Sequence, residues 1–169
     1  MKSENQECGL KLRGTDFVYF DEGAYGLIFL DRIARRVRKV FRAQDDKEHV
    51  CKVFVSETKA YERALACSSL RQFVPGNFRI CEPRAVVTKY GAEVSDKVFQ
   101  ELVFEIDFID GYFVKIGSIC KEKATKLHEL FHAEGIKYTI DMSVTLADGG
   151  RAEKVIDFGI EEIEAIYNQ

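Results

Sequence analysis

Glu153-Lys154-Val155-Ile156-Asp157-Phe158-Gly159 is the stretch on which the reading of this chain turns. A β-run ending in Val155 and Ile156 leads straight into an acid, an aromatic and a glycine. Just upstream, Asp148-Gly149-Gly150 is a hairpin turn signal, so 138–146 and 153–156 are expected to be a pair of short strands. Before them, 121–134 carries Leu127, Leu130 and Phe131 at helical spacing and ends at Gly135, a helix stop.

Working back to the front, 17–20 and 27–30 read as strands around a turn containing glycines, and 37–41 as a third strand. Gln44-Asp45-Asp46 opens a helix that is expected to run to about Ser69, with its carboxylates at the favoured end. Val74-Pro75-Gly76-Asn77 breaks the chain. Strands are expected at 84–89 and 98–109, a turn at Asp110-Gly111, and a helix in the tail at 161–167. Strands with one helix among them, followed by a mainly helical part, make an α+β arrangement divided near Asp110-Gly111.

A chain of 169 residues that is 46% hydrophobic can bury a core as one domain or as two small lobes. Its net charge of −3 argues against a nucleic-acid partner. The one basic run includes Arg35, Arg36, Arg38, Lys39 and Arg42, and reads either as an exposed strand face or as a patch facing phosphate or a partner. The five cysteines, Cys8, Cys51, Cys67, Cys81 and Cys120, are odd in number and widely spaced, which speaks against disulfides and zinc. His128 and His132 lack the surrounding pattern of a metal motif and read as helix surface or satisfied packing. No apolar run is long enough to cross a membrane, and the first residues lack a signal-like core, so a cytoplasmic location is expected.

Three features carry chemistry. Gly23-Ala24-Tyr25-Gly26 can bring backbone N–H groups close to phosphate oxygens, although a plain β-turn reads the same. Val50, Val53, Phe54, Ala60, Tyr61, Ala64 and Leu65 form a helical apolar stripe with Glu57 in its middle. A carboxylate there is costly unless paired, and Lys39 on the preceding strand would supply the partner. Lys52, the rival lysine, and Glu62, the rival acid, fall off the stripe.

In order and spacing these signals resemble the protein kinase family, with Asp157-Phe158-Gly159 the most specific of them. Gly23, Gly26 and Ile28 match the second glycine, the third glycine and the valine of the kinase glycine-rich loop, with Asp21 in place of the first glycine. The resemblance implies that Gly23, Ala24, Tyr25 and Gly26 cover ATP phosphates, that Lys39 contacts them, and that Glu57 orders Lys39. It implies a hinge in Gln100–Gly111, with backbone groups from about Glu105 to Asp107 binding adenine, and Asp157 holding Mg²⁺. Asp141 would be the catalytic acid–base residue, but no His or Arg precedes it and Leu146 stands where the family has asparagine. The implied fold is two-lobed, with an N-lobe at about 10–109 and a reduced C-lobe at about 110–169 lacking the activation segment and later helices. The implied activity is an ATP- and Mg²⁺-dependent Ser/Thr protein kinase, similar to the minimal effector kinases that bacteria deliver into host cells, with a host protein as target. The alternative is a pseudokinase that works as a binding module. Zinc, membrane and nucleic acid are not expected.

Overall fold

The structure, a computed structural model, describes residues 9–163. It is α+β, with two antiparallel sheets and two α-helices among the described residues. The chain divides into two compact units. One comprises the described residues up to Cys51 together with Asn77–Phe108, and the other Lys52–Gly76 together with the described residues from Ile109 onward.

The first unit is a seven-stranded sheet. Its strands are β1 (Lys11–Leu12), β2 (Val18–Glu22), β3 (Gly26–Asp31), β4 (Arg36–Arg42), β5 (Arg79–Ile80), β6 (Val86–Val87) and β7 (Val98–Asp107), in the order β5-β7-β4-β3-β2-β1-β6. The period-two alternation of β3 and β4 sends Leu27, Phe29 and Val40 into one core with Leu10, Leu12, Phe17, Val86, Val98 and Val103. Register places Ile28 opposite Lys39 and Lys39 opposite Phe104, so these three share the other face. The strand anticipated at 84–89 contracts to Val86–Val87, and β1 and β5 went unanticipated. Two-residue strands are too short to show a period; pairing with neighbours defines them.

Helix α1 (Lys47–Ala66) starts later than anticipated. The Asp46 carboxylate accepts the His49 N–H at 2.9 Å, which makes Asp46 the N-cap and leaves Gln44 and Asp45 outside. The division between the units falls within this helix, after Cys51.

The second unit holds the rest of α1, a 3₁₀ turn at Arg71–Phe73, β8 (Phe113–Lys115), α2 (Lys121–Ala133), β9 (Ser143–Leu146) and β10 (Ala152–Ile156). The sheet order is β10-β9-β8. Gly135, at φ +78°, ends α2 as expected: the Ile136 N–H bonds the Phe131 carbonyl and the Gly135 N–H that of His132, a Schellman cap. The strand anticipated at 138–146 is shorter, β9 alone, with Tyr138 making a single bridge to Gly159 instead. Phe131, Ile136, Met142, Val144, Val155 and Phe158 are buried. Of the tail helix anticipated at 161–167, residues 161–163 are not helical, and the remainder lies outside the described residues.

Candidate functional site

In the first unit, the Gly23 N–H donates to the Gly26 carbonyl at 2.8 Å and closes the β2–β3 turn. Gly26 is required by close approach. A Cβ there would lie 2.9 Å from Lys39 Cγ and 3.1 Å from its Cε, so the missing side chain makes room for the lysine stem. The Lys39 ammonium lies 5.0 Å from the centroid of the Phe41 ring. The turn tip is held in place: Gln44 Nε2 donates to the Ala24 carbonyl at 3.2 Å, and the Arg42 N–H to that of Tyr25 at 2.8 Å. The Tyr25 hydroxyl lies 3.0 Å from His49 Nε2. Asp21 turns its carboxylate onto the neighbouring Glu22 N–H at 2.8 Å.

Glu105 lies inside the sheet, flanked by Arg38 of β4 on one side and Arg79 of β5 on the other. Its buried carboxylate takes Arg36 Nε at 2.7 Å, Arg38 Nε at 2.7 Å and an Arg79 guanidinium nitrogen at 3.1 Å. Burial alone would push this carboxyl up, but the three guanidinium groups overcome that and hold it at about 2. Asp107, at the end of β7, pairs with Arg36 and accepts the Asn77 amide at 2.9 Å. Much of the basic run therefore neutralises carboxylates on its own sheet.

In the second unit, Glu57 lies in mid-helix and is only 7% exposed, while Lys52 and Glu62 are exposed as the stripe required. One turn on, Tyr61 packs its ring 4.6 Å from that of Phe158, which also meets Phe131 at 5.2 Å. Burial pushes the Tyr61 hydroxyl well above its ordinary value, helped by the charges of Glu57 and Asp157. Gly159 and Tyr138 exchange backbone hydrogen bonds at 2.9 and 3.0 Å. A Cβ on Gly159 would come within 2.7 Å of Ser56 Oγ on α1. The Asp-Phe-Gly segment is thus fixed between α1, α2 and the loop after α2.

Asp157 itself has φ +63°, a left-handed conformation that costs a non-glycine residue free energy and concentrates at functional sites. The Ser143 hydroxyl donates to Asp157 Oδ2 at 3.2 Å, and Lys115 Nζ stands 3.9 Å from the same oxygen. Lys115 also donates to the Asp141 carbonyl at 2.9 Å. The exposed Asp141 carboxylate accepts a hydrogen bond from the Tyr138 hydroxyl. Asp141 and Asp157 are therefore brought together with Ser143 and Lys115, two residues that sequence reasoning missed. What aligns them is cross-strand register, with Ser143 opposite both Lys115 and Ile156, and no local pattern announces that. A carboxylate and a hydroxyl offer hard oxygen donors of the kind Mg²⁺ accepts when it arrives with phosphates. Among the described residues no group of three or more His, Cys, Asp or Glu is placed to hold a metal by itself.

His128 and His132 converge on the Thr139 hydroxyl at 2.7 and 2.9 Å, so they are satisfied packing. Burial and the neighbouring His132 lower the pKa of His128. No helix among the described residues is long and apolar enough to cross a membrane. No protein-family model matches the chain, and no curated protein matches it.

Proposed function

We propose that this chain is an ATP- and Mg²⁺-dependent protein kinase of the two-lobed, kinase-like kind, transferring the γ-phosphoryl group to a Ser or Thr hydroxyl of a protein. The observation that carries this reading is the strained Asp157, held beside Ser143, Lys115 and Asp141 and backed by Phe158 against Tyr61. Lys39 holds the α- and β-phosphates under the Gly23–Gly26 turn. Because Glu105 is engaged on both sides, the adenine edge is read by main-chain groups nearer Asp107, at the end of β7. Asp157, with the Ser143 hydroxyl beside it, would hold Mg²⁺. That ion, when bound, supplies positive charge to the phosphate oxygens. Asp141 accepts the acceptor hydroxyl's proton as the new O–P bond forms and the bond to ADP breaks, with Tyr138 fixing its carboxylate. The rest of catalysis is positioning, which asks little further of the protein.

A binding module of the same type, lacking transfer, is the second reading. It is favoured by Tyr138 already occupying the Asp141 carboxylate and by a serine, with a shorter reach than asparagine, beside Asp157. Transfer of radiolabel from [γ-³²P]ATP to protein acceptors separates the two. Transfer that disappears in both Lys39→Ala and Asp157→Ala supports the enzyme. Nucleotide binding without transfer supports the module, and a chain that binds no ATP is neither.

A further inference from the structure

We propose that Lys115 is a catalytic-site residue that contacts the terminal phosphate of the nucleotide, a role the sequence patterns assign to no residue of β8. The proposal rests on the ATP reading above and names a contact within it.

β8 contributes only Phe113, Val114 and Lys115, yet it is paired along its length with β9. That register sets Lys115 opposite Ser143, and Ser143 in turn opposite Ile156, the residue before Asp157. Side chains at directly opposed positions lie on the same face with Cβ atoms about 5 Å apart. The result is an ammonium and a hydroxyl side by side from β8 and β9, with the carboxylate of Asp157, the residue after β10, within reach of both. The ammonium is oriented: it donates to the Asp141 carbonyl at 2.9 Å. It stands 3.9 Å from Asp157 Oδ2, outside hydrogen-bond distance but within ion-pair range.

The arrangement contributes little to folding. The Lys115 side chain is 64% exposed, and an ion pair so open to water is worth little to stability. What it does is place a compact positive charge beside the Asp157 carboxylate and the main-chain carbonyl of Asp141. An ammonium has three N–H donors, and a phosphate group presents several acceptor oxygens to a point charge of this kind. The phosphate nearest Asp157 would meet Lys115, and removing that phosphate would remove the contact.

The test is the affinity of Mg-ATP and Mg-ADP for wild type, Lys115→Ala, Lys115→Gln and Lys115→Arg, measured by calorimetry. Lys126→Ala, an exposed lysine on α2, is the control. Loss of a charge-assisted contact should weaken ATP about tenfold in the Ala and Gln variants, while ADP changes less than about twofold. Lys115→Arg should recover most of the difference, and Lys126→Ala should behave as wild type. Equal losses for ATP and ADP, or no loss in a protein that binds ATP, would overturn the role of Lys115 and leave the nucleotide reading standing. Failure of the wild type to bind ATP would overturn that reading and this contact with it.

Discussion

At the scale of single residues, Asp157 and Gly26 show what backbone geometry exacts. Asp157 sits at φ +63°, where glycine is at ease and alanine is not. Asp157→Gly and Asp157→Ala remove the same carboxylate, so their difference isolates the backbone. The glycine variant should be more stable by about 1 kcal/mol in urea melts, although both lose Mg²⁺-dependent nucleotide binding. Equal stabilities would show that the conformation carries no strain. Gly26 has an ordinary φ, so Gly26→Ala acts through space: its Cβ would collide with the Lys39 stem and press on the Val40 carbonyl at 3.2 Å. A cost of about 1–2 kcal/mol is expected, together with weakened ATP binding that a Lys39→Ala background no longer shows. Asp157 and Glu57 were visible in the sequence because a tripeptide and a helical stripe are local signals. Lys115 and Ser143 were not, because a lysine in a three-residue strand and a serine in a four-residue one acquire meaning only through pairing.

At the scale of elements, the β5–β7–β4 register converts a basic run into an ion network. Arg36 and Arg38 are mostly covered, so removing Glu105 takes the carboxylate from Arg38 in a poor solvent for charge and leaves Arg36 to its pair with Asp107. Glu105→Gln should destabilise the chain by about 3 kcal/mol in thermal melts, far more than the loss of an exposed pair such as Lys126–Glu122. The same carboxyl sets an acid limit. Its folded value, about 2, lies below its ordinary 4.5, so its contribution is complete above pH 4.5 and is lost as pH falls from about 4.5 toward 2. Stability measured across that window should drop in wild type and remain flatter in Glu105→Gln. Sequence reading placed the strands that carry Arg38 and Glu105 but could not see them meet Arg79, because β5 is only two residues long and sets one side of the network. The helix stripe, by contrast, was legible because it recurs over successive turns within one element; the N-cap at Asp46 shortened the helix without moving its face.

At the scale of the whole molecule, the α+β class followed from patterning, whereas the way the chain groups into units did not. Residues 52–76 belong with the unit built from the C-terminal half, although they lie between two segments of the other in sequence. No linker or composition shift marks the change at residue 52, since it falls inside α1, whereas the return at Asn77 coincides with the Val74-Pro75-Gly76-Asn77 break. Any ligand bound only by the native state raises stability by mass action, by about 2.7 kcal/mol at a hundred times its dissociation constant. For a chain of this size that corresponds to a rise of roughly 5–10 °C in the melting midpoint. Mg-ATP should produce it, EDTA should reduce it, and Lys39→Ala and Asp157→Gly should each blunt it. Hydrogen exchange then reads the units one at a time. Under saturating Mg-ATP, amide exchange should slow both at the Gly23–Gly26 turn and at Asp157–Gly159. Protection confined to the first stretch would mean that a nucleotide is held without engaging Asp157, and the kinase assignment would give way to that of a nucleotide-binding module.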